Sequence, residues 1–118
     1  MKQAQLADLL ARLPGAATPQ WPQGERFVRA FAHGTMSVEV YAPVGSDPQT
    51  PHAQDEIYVV QTGHGEFVCG DERHRFSPGS AFFVPAGVPH RFERFTEDFV
   101  TWVVFWGPQG GESATAGG

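Results

Sequence analysis

The chain has 118 residues, a net charge of −5 and a single cysteine, Cys69. That length suits one domain with one core. The charge supplies no basic stripe for nucleic-acid phosphates, no run reaches the roughly 18 apolar residues of a membrane span, and a lone cysteine without a signal-peptide pattern points to the cytoplasm.

In chain order, residues 2–13 place Leu6, Leu9, Leu10 and Leu13 at helical spacing, and Pro14-Gly15 ends the pattern. This short amphipathic helix is expected on the outside of the fold. A proline-rich loop over 14–25 follows, with Trp21 as its apolar anchor. Strands are predicted at 27–32 and 35–42 around a His33-Gly34 turn, then at 56–61, 66–69, 73–76, 81–84, 90–95 and 99–106. Abundant glycine and proline mark the turns between them, and ten phenylalanines suit the strands. Eight short strands read as an all-β sandwich or barrel.

The last strand, Val-Thr-Trp-Val-Val-Phe-Trp at 100–106, is apolar on both faces, as in a strand buried on both sides. In so small a protein a second subunit is expected to cover one face, giving a homodimer; the alternative cover is the N-terminal helix. The expected organisation is helix and loop over 1–26, barrel over 27–108, and a Gly/Ser/Ala/Thr-rich tail without order over 109–118.

Two segments carry the chemistry. Residues 79–90 read Gly-Ser-Ala-Phe-Phe-Val-Pro-Ala-Gly-Val-Pro-His: a short strand closed at Pro85, turned at Gly87 and delivering His90 to the head of the next strand. Upstream, His52 and Glu56 stand at the entry to another strand. Alternation puts Thr50, Gln54, Glu56 and Tyr58 on the face of His52, with Asp55, Ile57 and Val59 on the other. If His52, Glu56 and His90 converge, two imidazoles and one carboxylate suit iron(II), manganese, zinc or nickel and leave positions open for water or substrate. The alternatives are a His90 that only caps its turn and a His52 solvated after Pro51. Gln54, Tyr58, Phe92, Arg94 and Trp102 are candidate lining residues. An inward Arg94 would pair with Glu56 or a substrate carboxylate; an outward one is a surface charge. His33, His64 and His74 read as turn or hairpin residues. Cys69 reads as a small core residue rather than a nucleophile.

The two segments resemble the signature motifs of the cupin superfamily. Gly79, Pro85, Gly87 and His90 match the second motif position for position, with Arg94 in place of its terminal asparagine. His52, Glu56 and Gly63 match the first, in which Thr50 stands where a further histidine is usual. The resemblance covers roughly residues 34–108. It implies a double-stranded β-helix, a jelly-roll barrel, with a divalent metal at His52, Glu56 and His90 and a small polar molecule as substrate. The chemistries it implies are those of a dioxygenase, isomerase, decarboxylase or lyase. Thiol dioxygenases of the superfamily rely on three histidines, so Thr50 speaks against that class. The resemblance equally allows a non-catalytic small-molecule-binding module or a metal-free dimeric scaffold, because one fold hosts many chemistries.

Overall fold

Alternation of apolar and polar side chains from Phe27 onward produces a run of antiparallel strands. The computed structural model describes residues 1–113. In chain order it contains α1 (Leu6–Leu10), β1 (Phe27–His33), β2 (Met36–Tyr41), β3 (Asp55–Thr62), β4 (Gly65–Cys69), β5 (Glu72–Phe76), β6 (Ala81–Val84), β7 (His90–Glu93) and β8 (Val100–Trp106). They form a five-stranded sheet ordered β1-β2-β8-β3-β6 and a three-stranded sheet ordered β5-β4-β7. The two face each other as an all-β jelly-roll barrel.

The core lies between the sheets. Tyr58 and Val60 of β3, Phe67 of β4, Phe76 of β5, Phe92 of β7 and Val103 of β8 point into it, with Phe99 from the turn before β8. Ring centroids of Phe67–Phe92, Phe92–Phe99 and Phe76–Phe99 lie 4.6, 4.7 and 4.7 Å apart. Each such ring removes about 150–250 Å² from water, and the tilted packing adds about 0.5–1.5 kcal/mol per pair. Gly63 (φ 92°) makes the β3–β4 turn against this cluster; a Cβ there would stand 2.6 Å from the Cα of Phe99.

Most strand ends fall within one residue of the expected ones; three features depart further. The helix spans five residues rather than twelve: Gln5 supplies no side-chain cap, and the end tightens through N–H bonds from Arg12 to the Leu9 carbonyl and Leu13 to the Leu10 carbonyl. Too short to hold itself, it is kept by burying Leu9 where it packs on β1 and β2. The strand expected over 90–95 stops at Glu93, because Arg94 adopts a left-handed backbone (φ 52°). The tail expected to lack order from 109 is fastened as far as it is described. Gly110 N–H bonds the Ala53 carbonyl and Glu112 N–H bonds Asp55; residues 114–118 lie outside the described residues.

β8 sits in the middle of the large sheet. Thr101, Val103 and Phe105 face inward; Trp102, Val104 and Trp106 face out. Helix α1 covers β1 and β2 on the outer face, yet Val59 and Phe83 there are 40% and 57% exposed. Among the described residues no helix is long and apolar enough to cross a membrane.

Candidate metal centre

Glu56 is the second residue of β3 and points into the barrel, its side chain fully buried. His90 opens β7 directly after the Pro85–Pro89 turn and is buried as well. His52 lies in the loop before β3 with a third of its side chain exposed. One backbone bond, from Gly87 N–H to the His52 carbonyl at 2.7 Å, ties the two segments together. Glu56 Oε1 is 3.0 Å from His52 Nδ1 and 2.8 Å from His90 Nε2, and one ligand atom from each residue lies within 4.8 Å of the others.

The hydrogen bonds around His90 define its tautomer. Nδ1 lies 2.8 Å from the Val88 carbonyl, an acceptor only, so Nδ1 carries the hydrogen. Nε2 then faces Glu56 Oε1 and, at 3.0 Å, the Tyr58 hydroxyl, whose own hydrogen goes to Gln49 Oε1. With Tyr58 donating to Gln49, Nε2 faces two acceptors, an arrangement that a proton shared with Glu56 or a metal ion satisfies. Burial disfavours the imidazolium, but hydrogen bonds to Glu56 and Val88 outweigh it and hold the His90 pKa above its ordinary value. Burial likewise pushes Glu56 up, and the hydrogen bonds from His52 and His90 overcome it and lower the carboxyl. Burial, then the charge of Glu56, raises Tyr58 well above the ordinary phenol, so it stays protonated.

Glu56 Oε2 is buried with no hydrogen-bond partner. A carboxylate oxygen in that state is costly. With two imidazoles beside it, one fixed by a backbone carbonyl as metal-bound histidines usually are, the donor set fits a divalent transition metal.

A cavity of about 290 Å³ opens beside the centre. His52, Tyr58, Val103 and Phe105 line it together with the rings of Trp21, Phe27 and Tyr41; Glu39 and Thr50 also reach it. Asp47 secures the loop that carries His52. It accepts from the Tyr41 hydroxyl, from Gln49 N–H and side-chain amide, and from Phe92 N–H at 2.8 Å.

Of the five candidate lining residues, Tyr58 reaches the cavity and four do not. Phe92 belongs to the core instead, 4.9 Å from the Tyr58 ring. Gln54 turns away and donates to the Thr35 and Gly107 carbonyls, both at 2.9 Å; residues 53–54 form a bend, so strand alternation does not extend back to them. Arg94 leaves β7 in its left-handed turn and pairs with Glu66 at 3.3 Å, its side chain 82% exposed. Trp102 takes the outer face of β8 and donates to Gln61. Asp55, expected on the face opposite Glu56, is buried and accepts from Ala86 N–H and Glu112 N–H, bracing the turn that precedes His90. His33, His64 and His74 are exposed. Cys69 is a half-buried free thiol raised by burial. Glu39, Phe105 and Trp21 are lining residues that sequence reasoning missed. In β2, Glu39 and Tyr41 line the cavity, while Val40, on the opposite face, is fully buried. Phe105 was signalled by its place two residues from Val103 in β8.

A family model described as Cupin domain matches residues 37–106. An uncharacterised protein of Streptomyces coelicolor is 45% identical over 85 residues, covering 70% of this chain and 81% of the relative. Among solved structures, a cupin 2 conserved barrel domain protein from Salinispora arenicola is 25% identical with a TM-score of 0.57, over 69% of this chain and 74% of that one. A DMSP lyase from Ruegeria pomeroyi is 30% identical with a TM-score of 0.58; the alignment covers 70% of this chain and 48% of the lyase.

Proposed function

The chain belongs to the cupin family, and from that premise we propose that His52, Glu56 and His90 hold one divalent transition-metal ion, with the adjacent cavity presenting a small polar molecule to it. The observation that carries this reading is Glu56: a fully buried carboxylate between two imidazoles, with one oxygen left without a partner. When bound, such an ion polarises a carbonyl or carboxylate, or activates dioxygen. The chain's own residues do the rest. The Val88 carbonyl fixes the His90 ring, and Tyr58, which lines the cavity, holds a phenolic proton there. Lyase chemistry within this scheme is supported by the 30% identity to a DMSP lyase; dioxygenase and isomerase chemistry use the same donor set.

The outer face of the large sheet supports a homodimer. Ile57, Val59, Phe83 and Val104 adjoin across β3, β6 and β8, and a second copy of the same patch is its natural cover. A free Cys69 suits a reducing cytoplasm.

Metal analysis of the purified protein beside a His52→Ala/His90→Ala double variant tests the central reading. Near-stoichiometric metal in the wild type, lost in a variant with an unchanged circular dichroism spectrum, is expected. No metal after incubation with iron, manganese, nickel and zinc salts would overturn it and leave a binding module or scaffold.

A further inference from the structure

Glu39 lies in the middle of β2 on the inward face, and the metal reading leaves it without a role. Its cross-strand neighbours are Val103 on β8, which is buried, and Arg29 on β1, which is exposed. Among the described residues no ion pair or hydrogen bond engages the Glu39 carboxylate: the acidic partners in ion pairs are Glu56, Glu66 and Glu93. Burial raises its carboxyl above the ordinary value, against the pull of Arg29 and then His52. A half-buried carboxylate without a partner, open to a cavity, is a group that awaits a cation.

The rest of the lining is consistent with one. Trp21 stands edge-on to both Phe27 (6.2 Å, 67°) and Tyr41 (6.0 Å, 82°), so the three rings form an angled wall rather than a stack. Phe105 faces them from β8, and no lysine or arginine lines the cavity. Ring faces carry negative potential and attract ammonium groups within about 6 Å. An anion entering here would meet Glu39, with His52 the one basic side chain in the lining.

We propose that this cavity binds a small organic cation, an ammonium or quaternary ammonium group seated against Glu39 and the rings of Trp21, Phe27 and Tyr41. The inference rests on the metal reading only in taking the cavity as that centre's substrate site; the binding groups belong to the chain with or without metal. At about 290 Å³ the cavity is at the small end of ligand sites and suits a molecule of few heavy atoms.

Calorimetric titration with choline, ethanolamine, acetate and 3,3-dimethylbutan-1-ol, the neutral carbon isostere of choline, tests it. The titrations use metal-free and zinc-treated protein, with metal content measured on the same samples. At least one of the two cations is expected to bind, choline at least about tenfold more tightly than its isostere where choline is the one that binds. Acetate is expected not to bind the metal-free protein, where no ion is present to hold its carboxylate. Glu39→Gln should weaken the cation about tenfold or more and leave the isostere unchanged, and Phe27→Leu, at a partly exposed ring, should weaken it too. Equal binding of choline and its isostere, preference for acetate in the metal-free protein, or no binding of either cation overturns the proposal. So does a Glu39→Gln variant that loses zinc affinity while its cation binding is intact, since Glu39 would then be a metal ligand. Absent metal with cation binding intact would overturn the metal reading alone.

Discussion

Glu56 and His90 share one charge-assisted hydrogen bond, and its pH dependence follows from the directions of their shifts. His90 is raised, so its contribution to stability is complete below the ordinary imidazole value of 6.5 and is lost as pH rises through the higher folded value. Glu56 is lowered, so its contribution is complete above the ordinary 4.5 and is lost as pH falls through the lower folded value. The metal-free protein should therefore draw most stability from this pair between pH 4.5 and 6.5. Thermal melts of chelator-treated protein across pH should show it, and the dependence should flatten in Glu56→Gln. Zinc affinity should rise with pH over the range where His90 gives up its proton, because metal and proton compete for Nε2; a pH-independent affinity would remove His90 from the ligand set. Thr50 lines the cavity with His52, so Thr50→His should tighten metal binding by adding a third imidazole there. Competition against a chromophoric chelator measures it, and unchanged affinity would place residue 50 out of reach of the ion.

The site is only as firm as the elements that carry it. His52 comes from a loop rather than a strand, and Asp47 fastens that loop to β2 and β7 through Tyr41 and the Phe92 N–H. Asp47→Ala leaves the Phe92 N–H without its acceptor and should cost about 1–3 kcal/mol in urea unfolding. It should also speed metal release, because His52 loses its anchor; a variant equally stable but slower to release metal would contradict this. β7 is the opposite case: it is short, but Phe92 beneath His90 packs on Tyr58, Phe67, Phe76 and Phe99. Phe92→Ala should cost about 3–5 kcal/mol, read from the shift in the urea midpoint. The strands were legible in the sequence because alternation and turn residues agree along nearly the whole chain. The helix ends were not, since four leucines at helical spacing say nothing of how much surface is there to receive them. Gln54 was misplaced because a two-residue period was extended into a bend.

For the whole molecule, the five-stranded sheet has one face sealed over the centre and the other only partly covered. Helix α1 shields β1 and β2 and leaves Val59 and Phe83 exposed. If a second copy covers the patch, Phe83→Glu should convert dimer to monomer in sedimentation velocity without lowering metal content, because Phe83 points away from Glu56. A wild type that sediments as a monomer at micromolar concentration would refute the homodimer. The tail from Gly107 to Glu112 runs back across the mouth of the β3 entry, bonded to Thr35, Ala53 and Asp55. Composition alone marked it as free chain; its order comes from barrel groups distant in sequence that composition does not register.

The amino-acid order by itself determined the all-β class and the strand positions, and its resemblance to the cupin motifs pointed to the three residues at the centre. Class and strand positions depend on local periodicity and on turn chemistry at Pro85 and Gly87, which act over a few residues. Tertiary structure alone decided which face of each strand meets the cavity. Glu39 points into the cavity, while Trp102 and Arg94 turn outward. Facing is set by how sheets far apart in sequence close on one another, and no short-range pattern encodes that closure.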